Sequence, residues 1–142
     1  MQKAIDAAKK SGQDVTVGAV IVKSNDILAI SCNHKEKDLD VTSHAEINAI
    51  RIAEEKLGNW RLDNCDLYVT LEPCPMCAWA ILQSRIKNVY FGSYDNIYGA
   101  FASKMNLNNF SEYKTNVKGG ILEKECNNLI KDYFKGIRNG SK

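Results

Sequence analysis

The segment CDLYVTLEPCPMCAWAILQSRIKNVYFGS, residues 65–93, decides the fold. Its opening run, Cys65 to Leu71, is rich in apolar and β-branched side chains and reads as a strand. Pro75 to Ser84 reads as a helix, and Pro75 suits the first turn, where a missing amide hydrogen costs no helical bond. Lys87 to Ser93 is a second strand. Strand, helix and strand in this order imply two parallel strands joined by a right-handed crossover. The chain is therefore of the α/β class.

The rest of the sequence extends this unit. Val15 to Val22 (VTVGAVIV) is mostly apolar and suits a strand buried on both faces. Ser24-Asn25-Asp26 is a turn cluster, and Ile27 to Cys32 completes a hairpin. Gln2 to Lys10 places Ile5 and Ala8 at helical spacing, Glu36 to Val41 is a polar loop, and a helix runs from about His44 to Leu57 with Gly58 as its stop. Tyr94 to Asn116 is less regular. A last amphipathic helix, Leu122 to Ile137, presents Leu122, Cys126, Leu129, Ile130 and Phe134 on one face. The tail 138–142 is expected to be mobile. There is no internal repeat and no low-complexity linker, so residues 1–142 are expected to form a single domain with a mixed sheet.

Composition narrows the class. The chain has 142 residues, 44% hydrophobic and 25% charged, as expected of a water-soluble domain with a real core. No apolar run approaches the length of a membrane span, and the N-terminus lacks the apolar segment of a secretory signal, which together point to a cytoplasmic protein. The five cysteines, Cys32, Cys65, Cys74, Cys77 and Cys126, are an odd number without an export signal, which argues against a disulfide scaffold and leaves thiols for metal. A net charge of +2 decides nothing about a polyanionic partner.

Two motifs carry chemistry: His44-Ala45-Glu46 and Pro73-Cys74-Pro75-Met76-Cys77. Together they match the H-x-E…P-C-x-x-C signature of zinc-dependent deaminases. The chemistry can be argued separately from the match. Zinc prefers four tetrahedral ligands, commonly imidazole nitrogen and thiolate sulfur. Cys74 and Cys77, three apart at a helix start, share one face, and the positive end of the helix favours their thiolates. One His and two Cys leave the fourth position for water, the catalytic pattern. Zinc brings that water to a pKa of roughly 7. A hydroxide so formed can attack adenine C6 or cytosine C4, and Glu46, two residues from a ligand, is placed to carry protons. Each motif alone has a plainer reading. Ser43-His44-Ala45-Glu46 also fits a helix capping box, and C-x-x-C also fits half of a structural zinc site or a redox pair. No second close cysteine pair exists to complete a four-cysteine site. His34 reads as a surface residue, and Cys32, Cys65 and Cys126 read as small core residues.

At these residues the chain resembles the cytidine deaminase-like superfamily. The run Leu67 to Phe101 (LYVTLEPCPMCAWAILQSRIKNVYFGSYDNIYGAF) is similar to the bacterial tRNA-specific adenosine deaminases. Val17-Gly18-Ala19-Val20 and Gly120-Ile121-Leu122 fit as well, although Thr16, Val41 and Tyr94 depart from residues common in that family. The resemblance implies a three-layer α/β/α fold around a central mixed sheet of about five strands. It implies one Zn2+ per subunit on His44, Cys74 and Cys77, with Glu46 as proton shuttle. It further implies substrate contacts from Asn33, Val17, Ala45, Leu71, Asp95 and Phe134, a tRNA anticodon stem-loop as partner, and a homodimer. The implied reaction converts adenosine to inosine at wobble position 34 of tRNA-Arg(ACG). Asp95 suits a turn equally well, Tyr133 and Phe134 suit a core, and Lys131, Lys135 and Arg138 suit either a phosphate-facing stripe or a solvated helix face.

Two other readings stay open at this point. One is a deaminase of a free nucleobase or nucleoside, which shares both metal motifs. The other is a zinc-stabilised RNA-binding subunit without catalysis, which has no need of Glu46.

Overall fold

The computed structural model describes residues 1–140. Five strands form one sheet in the order β2-β1-β3-β4-β5: β1 (Gly18–Lys23), β2 (Asp26–Cys32), β3 (Cys65–Leu71), β4 (Asn88–Ser93) and β5 (Asn116–Lys118). The β1–β2 and β1–β3 pairs are antiparallel, and β3–β4 and β4–β5 are parallel, so the sheet is mixed. Five helices accompany it: α1 (Gln2–Ala8), α2 (Lys35–Asp38), α3 (Ala45–Leu57), α4 (Pro75–Gln83) and α5 (Glu123–Arg138).

Strand alternation sorts the helices into two layers. Ala19 and Ile21 of β1, Leu67 and Val69 of β3, and Val89 and Phe91 of β4 join one core with Ala45, Ala49, Ile50 and Ala53 of α3 and Ala78, Ile81 and Leu82 of α4. The opposite face carries α1 and α5, which touch each other and pack on β1 and β4. The result is the expected three-layer α/β/α fold. Full burial of a Leu, Ile or Phe side chain contributes about 1.5–3 kcal/mol, and Phe91, Ile21, Leu62, Leu67, Ile81, Leu82 and Ile86 are all fully buried.

Two glycines allow close backbone approach. A Cβ on Gly18 would lie 1.9 Å from the Ala4 carbonyl oxygen, so the bare strand lets α1 settle on β1. A Cβ on Gly92 would lie 2.2 Å from Cys126 Sγ, which is how α5 docks on β4. The hairpin turn is Ser24-Asn25, both at positive φ, the type I′ pattern that matches strand twist.

The structure corrects several boundaries. The strand expected from Val15 begins at Gly18. The Val15 carbonyl accepts from Asn33 Nδ2 and the Val17 carbonyl from Asn33 N, so this segment is tied to the end of β2 and stays outside the ladder. The loop expected at Glu36 to Val41 holds the short α2, whose Glu36 amide donates to the Asp14 carboxylate. The irregular stretch from Tyr94 contains a 3₁₀ turn, Leu107–Phe110, and the three-residue edge strand β5, too short to leave a periodic signal. Of the expected tail 138–142, Arg138 closes α5 and Asn139 caps it, while Ser141 and Lys142 lie outside the described residues. Leu122 and Phe134 are exposed and do not join a buried face, whereas Cys126 of α5 is fully buried and Ile130 packs partly buried against the core. Cys32, Cys65 and Cys126 are buried as expected, but His34 is half-buried with Nε2 at 3.2 Å from Cys32 Sγ.

Candidate active site

The site forms where β3 and β4 end at their carboxyl edges, the usual position for ligands in open α/β sheets. Leu71 ends β3, Glu72 and Pro73 follow, and Cys74 is the extended N-cap residue of α4 with Pro75 in the first turn. Its carbonyl accepts from Ala78 N at 2.8 Å, and Cys77 falls on the same helix face one turn on. His44 is the extended N-cap residue of α3, and its carbonyl accepts from Asn48 N at 2.9 Å. Two helix N-termini therefore converge, and both favour negative charge on the sulfurs.

The capping box is absent. His44, not Ser43, caps α3, which puts Glu46 at the second helical position, one short of the required third. The Ser43 hydroxyl instead donates to Asp38 Oδ2 at 2.7 Å. Glu46 is thereby released from a capping role.

His44 Nδ1 lies 3.7 Å from Cys74 Sγ and 3.5 Å from Cys77 Sγ, and the three ligand atoms all lie within 4.8 Å of one another. Zinc bonds of about 2.3 Å to sulfur and about 2.0–2.1 Å to nitrogen, at tetrahedral angles, require an N–S separation of about 3.6 Å. The donors fit one zinc ion per chain, and three protein ligands would leave a fourth coordination position for water. The Cys77 thiol, and after it the His44 imidazole, hold the Cys74 thiol down at about 4, while Cys77 is pushed up by donating to Cys74 and by burial. The hydrogen bond to Cys74 raises His44. Glu46 is 4% exposed, and burial, helped by the Cys74 charge, pushes its carboxyl up to about 7.

A cleft of about 480 Å³ opens over these groups. His44, Glu46 and Cys74 line it, together with Val17, Asn33, Leu71, Asp95 and Phe134 among the residues singled out by resemblance. Cys77 and Ala45 are wholly buried behind the wall. Asn33 is a brace: Oδ1 accepts from Ala45 N at 2.8 Å and Nδ2 donates to Val15 O at 3.1 Å, which leaves one amide hydrogen for a ligand. Asp95 turns back on its own loop, where Oδ1 accepts from the amides of Ile97 and Tyr98. Phe134 is 50% exposed at the cleft mouth and packs edge-on against Tyr133, so the core-aromatic reading does not hold for it. Lys131, Lys135 and Arg138 are exposed around it and line an adjoining groove.

Sequence reasoning missed Glu72, Asp14, Lys35, Tyr94 and Tyr98, all of which line the cleft. Only Glu72 carried a signal, as a charged residue where an apolar strand runs into the cysteine motif.

Comparison with known proteins agrees with this geometry. The family described as "Cytidine and deoxycytidylate deaminase zinc-binding region" matches residues 1–93. The tRNA-specific adenosine deaminase of Bacillus subtilis (strain 168) is 39% identical over 146 aligned residues, spanning 100% of this chain and 91% of that protein. A solved structure concerned with A-to-I editing by tRNA:A34 deaminases at the wobble position of transfer RNA superposes with a TM-score of 0.88 at 40% identity, covering 91% of this chain and 96% of that one. The guanine deaminase structure from Bacillus subtilis is 41% identical but covers 66% of this chain and 61% of its own, with a TM-score of 0.64.

Proposed function

The chain belongs to the zinc-binding cytidine and deoxycytidylate deaminase family and, within it, to the tRNA-specific adenosine deaminases, and from that membership we propose that it converts adenosine to inosine at position 34 of tRNA-Arg(ACG). It is a hydrolytic enzyme with one zinc ion per chain. The observation that carries the reading is the His44–Cys74–Cys77 triangle, with the buried Glu46 carboxyl lining the same cleft.

Bound zinc supplies the nucleophile, because it acidifies water to a pKa of roughly 7. The residues of the chain supply the rest. Glu46 takes one proton from the attacking water and gives it to a ring nitrogen of adenine, then takes that water's second proton and gives it to the departing amine, which leaves as ammonia. Such general acid–base help is worth about 10²–10⁴-fold, and a carboxyl raised toward neutrality serves both directions. Asn33 offers its remaining amide hydrogen to the base, and Val17 and Leu71 supply apolar walls. The target base must leave its stack to reach this floor, which favours a loop such as the anticodon over a duplex.

Exposed Tyr94, Ile97, Tyr98 and Phe134 at the cleft wall support a nucleic-acid strand over a free base, which would be better served by an enclosed pocket. The chain acts as a homodimer in this reading. Met76 and Trp79 face outward from α4, and a second copy would cover them and widen the surface offered to an anticodon stem-loop. No helix among the described residues is long and apolar enough to cross a membrane; a tRNA substrate supports the cytoplasmic reading. The test is to incubate zinc-loaded protein with tRNA-Arg bearing an ACG anticodon, digest the RNA and look for inosine, with free guanine, cytosine and adenosine run alongside. Inosine at position 34 supports the proposal. Turnover confined to free bases selects the free-base deaminase, and RNA binding without any turnover selects the non-catalytic subunit.

A further inference from the structure

Glu72 is a carboxylate with no ionic partner among the described residues, 2% exposed, between the end of β3 and the zinc-binding cysteines. Five donors close on it. Oε1 accepts from Asp95 N at 3.1 Å and from the Ser103 hydroxyl. Oε2 accepts from the amides of Phe101, Ala102 and Ser103 at 3.3, 2.8 and 2.9 Å. All five belong to the loop that leaves β4 and turns over the cleft. Two backbone bonds flank the carboxylate: Glu72 N donates to Ser93 O at 2.8 Å, and Ala100 N donates to Pro73 O at 2.9 Å.

This loop has no regular ladder of its own, so its shape depends on that anchor. A Cβ on Gly99 would lie 2.4 Å from Glu72 Cδ and 2.5 Å from the Asp95 carbonyl oxygen, so the chain can wrap the carboxylate only where the side chain is missing. Asp95 caps the amides of Ile97 and Tyr98, which sets the next turn of the same loop. The wrapped segment then presents Tyr94, Asn96, Ile97 and Tyr98 to the cleft, with Ile97 and Tyr98 more than 60% exposed there. A charged acceptor held by several backbone amides is a rigid post, since each such bond is stronger than one between neutral groups.

We propose that Glu72 is a positioning residue for the substrate strand: it locks the loop 94–103 to the base of the zinc helix and so sets the wall on which the nucleotides flanking the target base rest. Glu72 does not touch the reacting atoms. The proposal rests on the deaminase reading for its kinetic consequence but not for its structural one.

The test uses the zinc-loaded full chain with Glu72→Gln and Ser103→Ala. A glutamine directs one amide group at hydrogen-bond donors, so Glu72→Gln leaves either the Asp95 amide or the amides of Phe101, Ala102 and Ser103 without an acceptor, while Ser103→Ala removes one bond. The expected result for Glu72→Gln is unchanged zinc content, a KM for an anticodon stem-loop raised about tenfold or more, kcat within about threefold, and faster amide hydrogen exchange at Asp95, Ala102 and Ser103. Ser103→Ala moves the same quantities in the same direction by less, and it decides the matter if Glu72→Gln does not fold. Unaltered KM with unaltered exchange overturns the proposal, as does loss of zinc, which would make Glu72 a support of the metal helix alone. If the wild-type chain makes no inosine, the deaminase reading fails by itself, and exchange in the loop still decides whether Glu72 holds it.

Discussion

The imidazole Nδ1 of His44 stands 3.5 Å from the sulfur of Cys77, a residue 33 positions away in the sequence. That distance matches the edge of a tetrahedral zinc site with one nitrogen and one sulfur ligand. Cys77→Ala and His44→Ala are each expected to weaken zinc binding by more than about 100-fold, a loss larger than that seen for groups that only support ligands. Competition with a chromogenic chelator measures this, and a variant that holds zinc as tightly as the parent contradicts the assignment.

Glu46 lies beside that triangle but is not one of its corners. Glu46→Gln keeps the shape and removes the proposed proton carrier. Turnover should fall by about 10²–10⁴-fold with one zinc ion per chain retained. Metal analysis and a single-turnover inosine assay on the same preparation read both quantities. Loss of metal together with activity would assign Glu46 a different role.

The same carboxyl makes the metal-free protein sensitive to pH. Its pKa in the folded state is about 7 against an ordinary 4.5. Between these values the folded state binds the extra proton, so stability falls as pH rises through this window and levels off above it. Glu46→Gln has no such penalty. The metal-free variant should match the parent below about pH 4.5 and exceed it above pH 7 by at most on the order of 3 kcal/mol. Urea unfolding at several pH values tests this, and a stability difference independent of pH rules it out.

Phe134 sits half exposed at the mouth of the cleft. Stacking of a base on such a ring is worth about 1–3 kcal/mol. Phe134→Ala should therefore weaken binding of an anticodon stem-loop by about 5- to 150-fold, leaving zinc content unchanged. Fluorescence anisotropy with a labelled RNA hairpin reads the change, and equal affinity would remove Phe134 from the RNA surface.

Gly18 carries no catalytic role, yet α1 depends on it. A methyl group there would meet Ala4 O at 1.9 Å and Ala8 N at 2.6 Å, both backbone atoms that cannot rotate away. Gly18→Ala should destabilise the fold by about 1–3 kcal/mol or more, as overpacking does elsewhere. The urea midpoint measures it, and an unchanged midpoint would mean that α1 shifts without cost.

The order of strands and helices from Cys65 to Ser93, the cysteine pair at a helix start and the stop at Gly58 were readable from the chain alone, because periodicity, ligand chemistry and turn preference act over a few residues. Other features appeared only when distant segments met. The His44 imidazole reached the sulfurs, the Asn33 amide was spent on Ala45 and Val15, and Glu72 gathered donors from a loop whose nearest is 23 residues further on. Phe134 stayed half exposed, while Ile130 of the same helix was drawn against the core and Tyr133 reached the Gln13 carbonyl. Which atoms a side chain finds, and what covers it, depends on packing between elements far apart in sequence, and no local pattern encodes that.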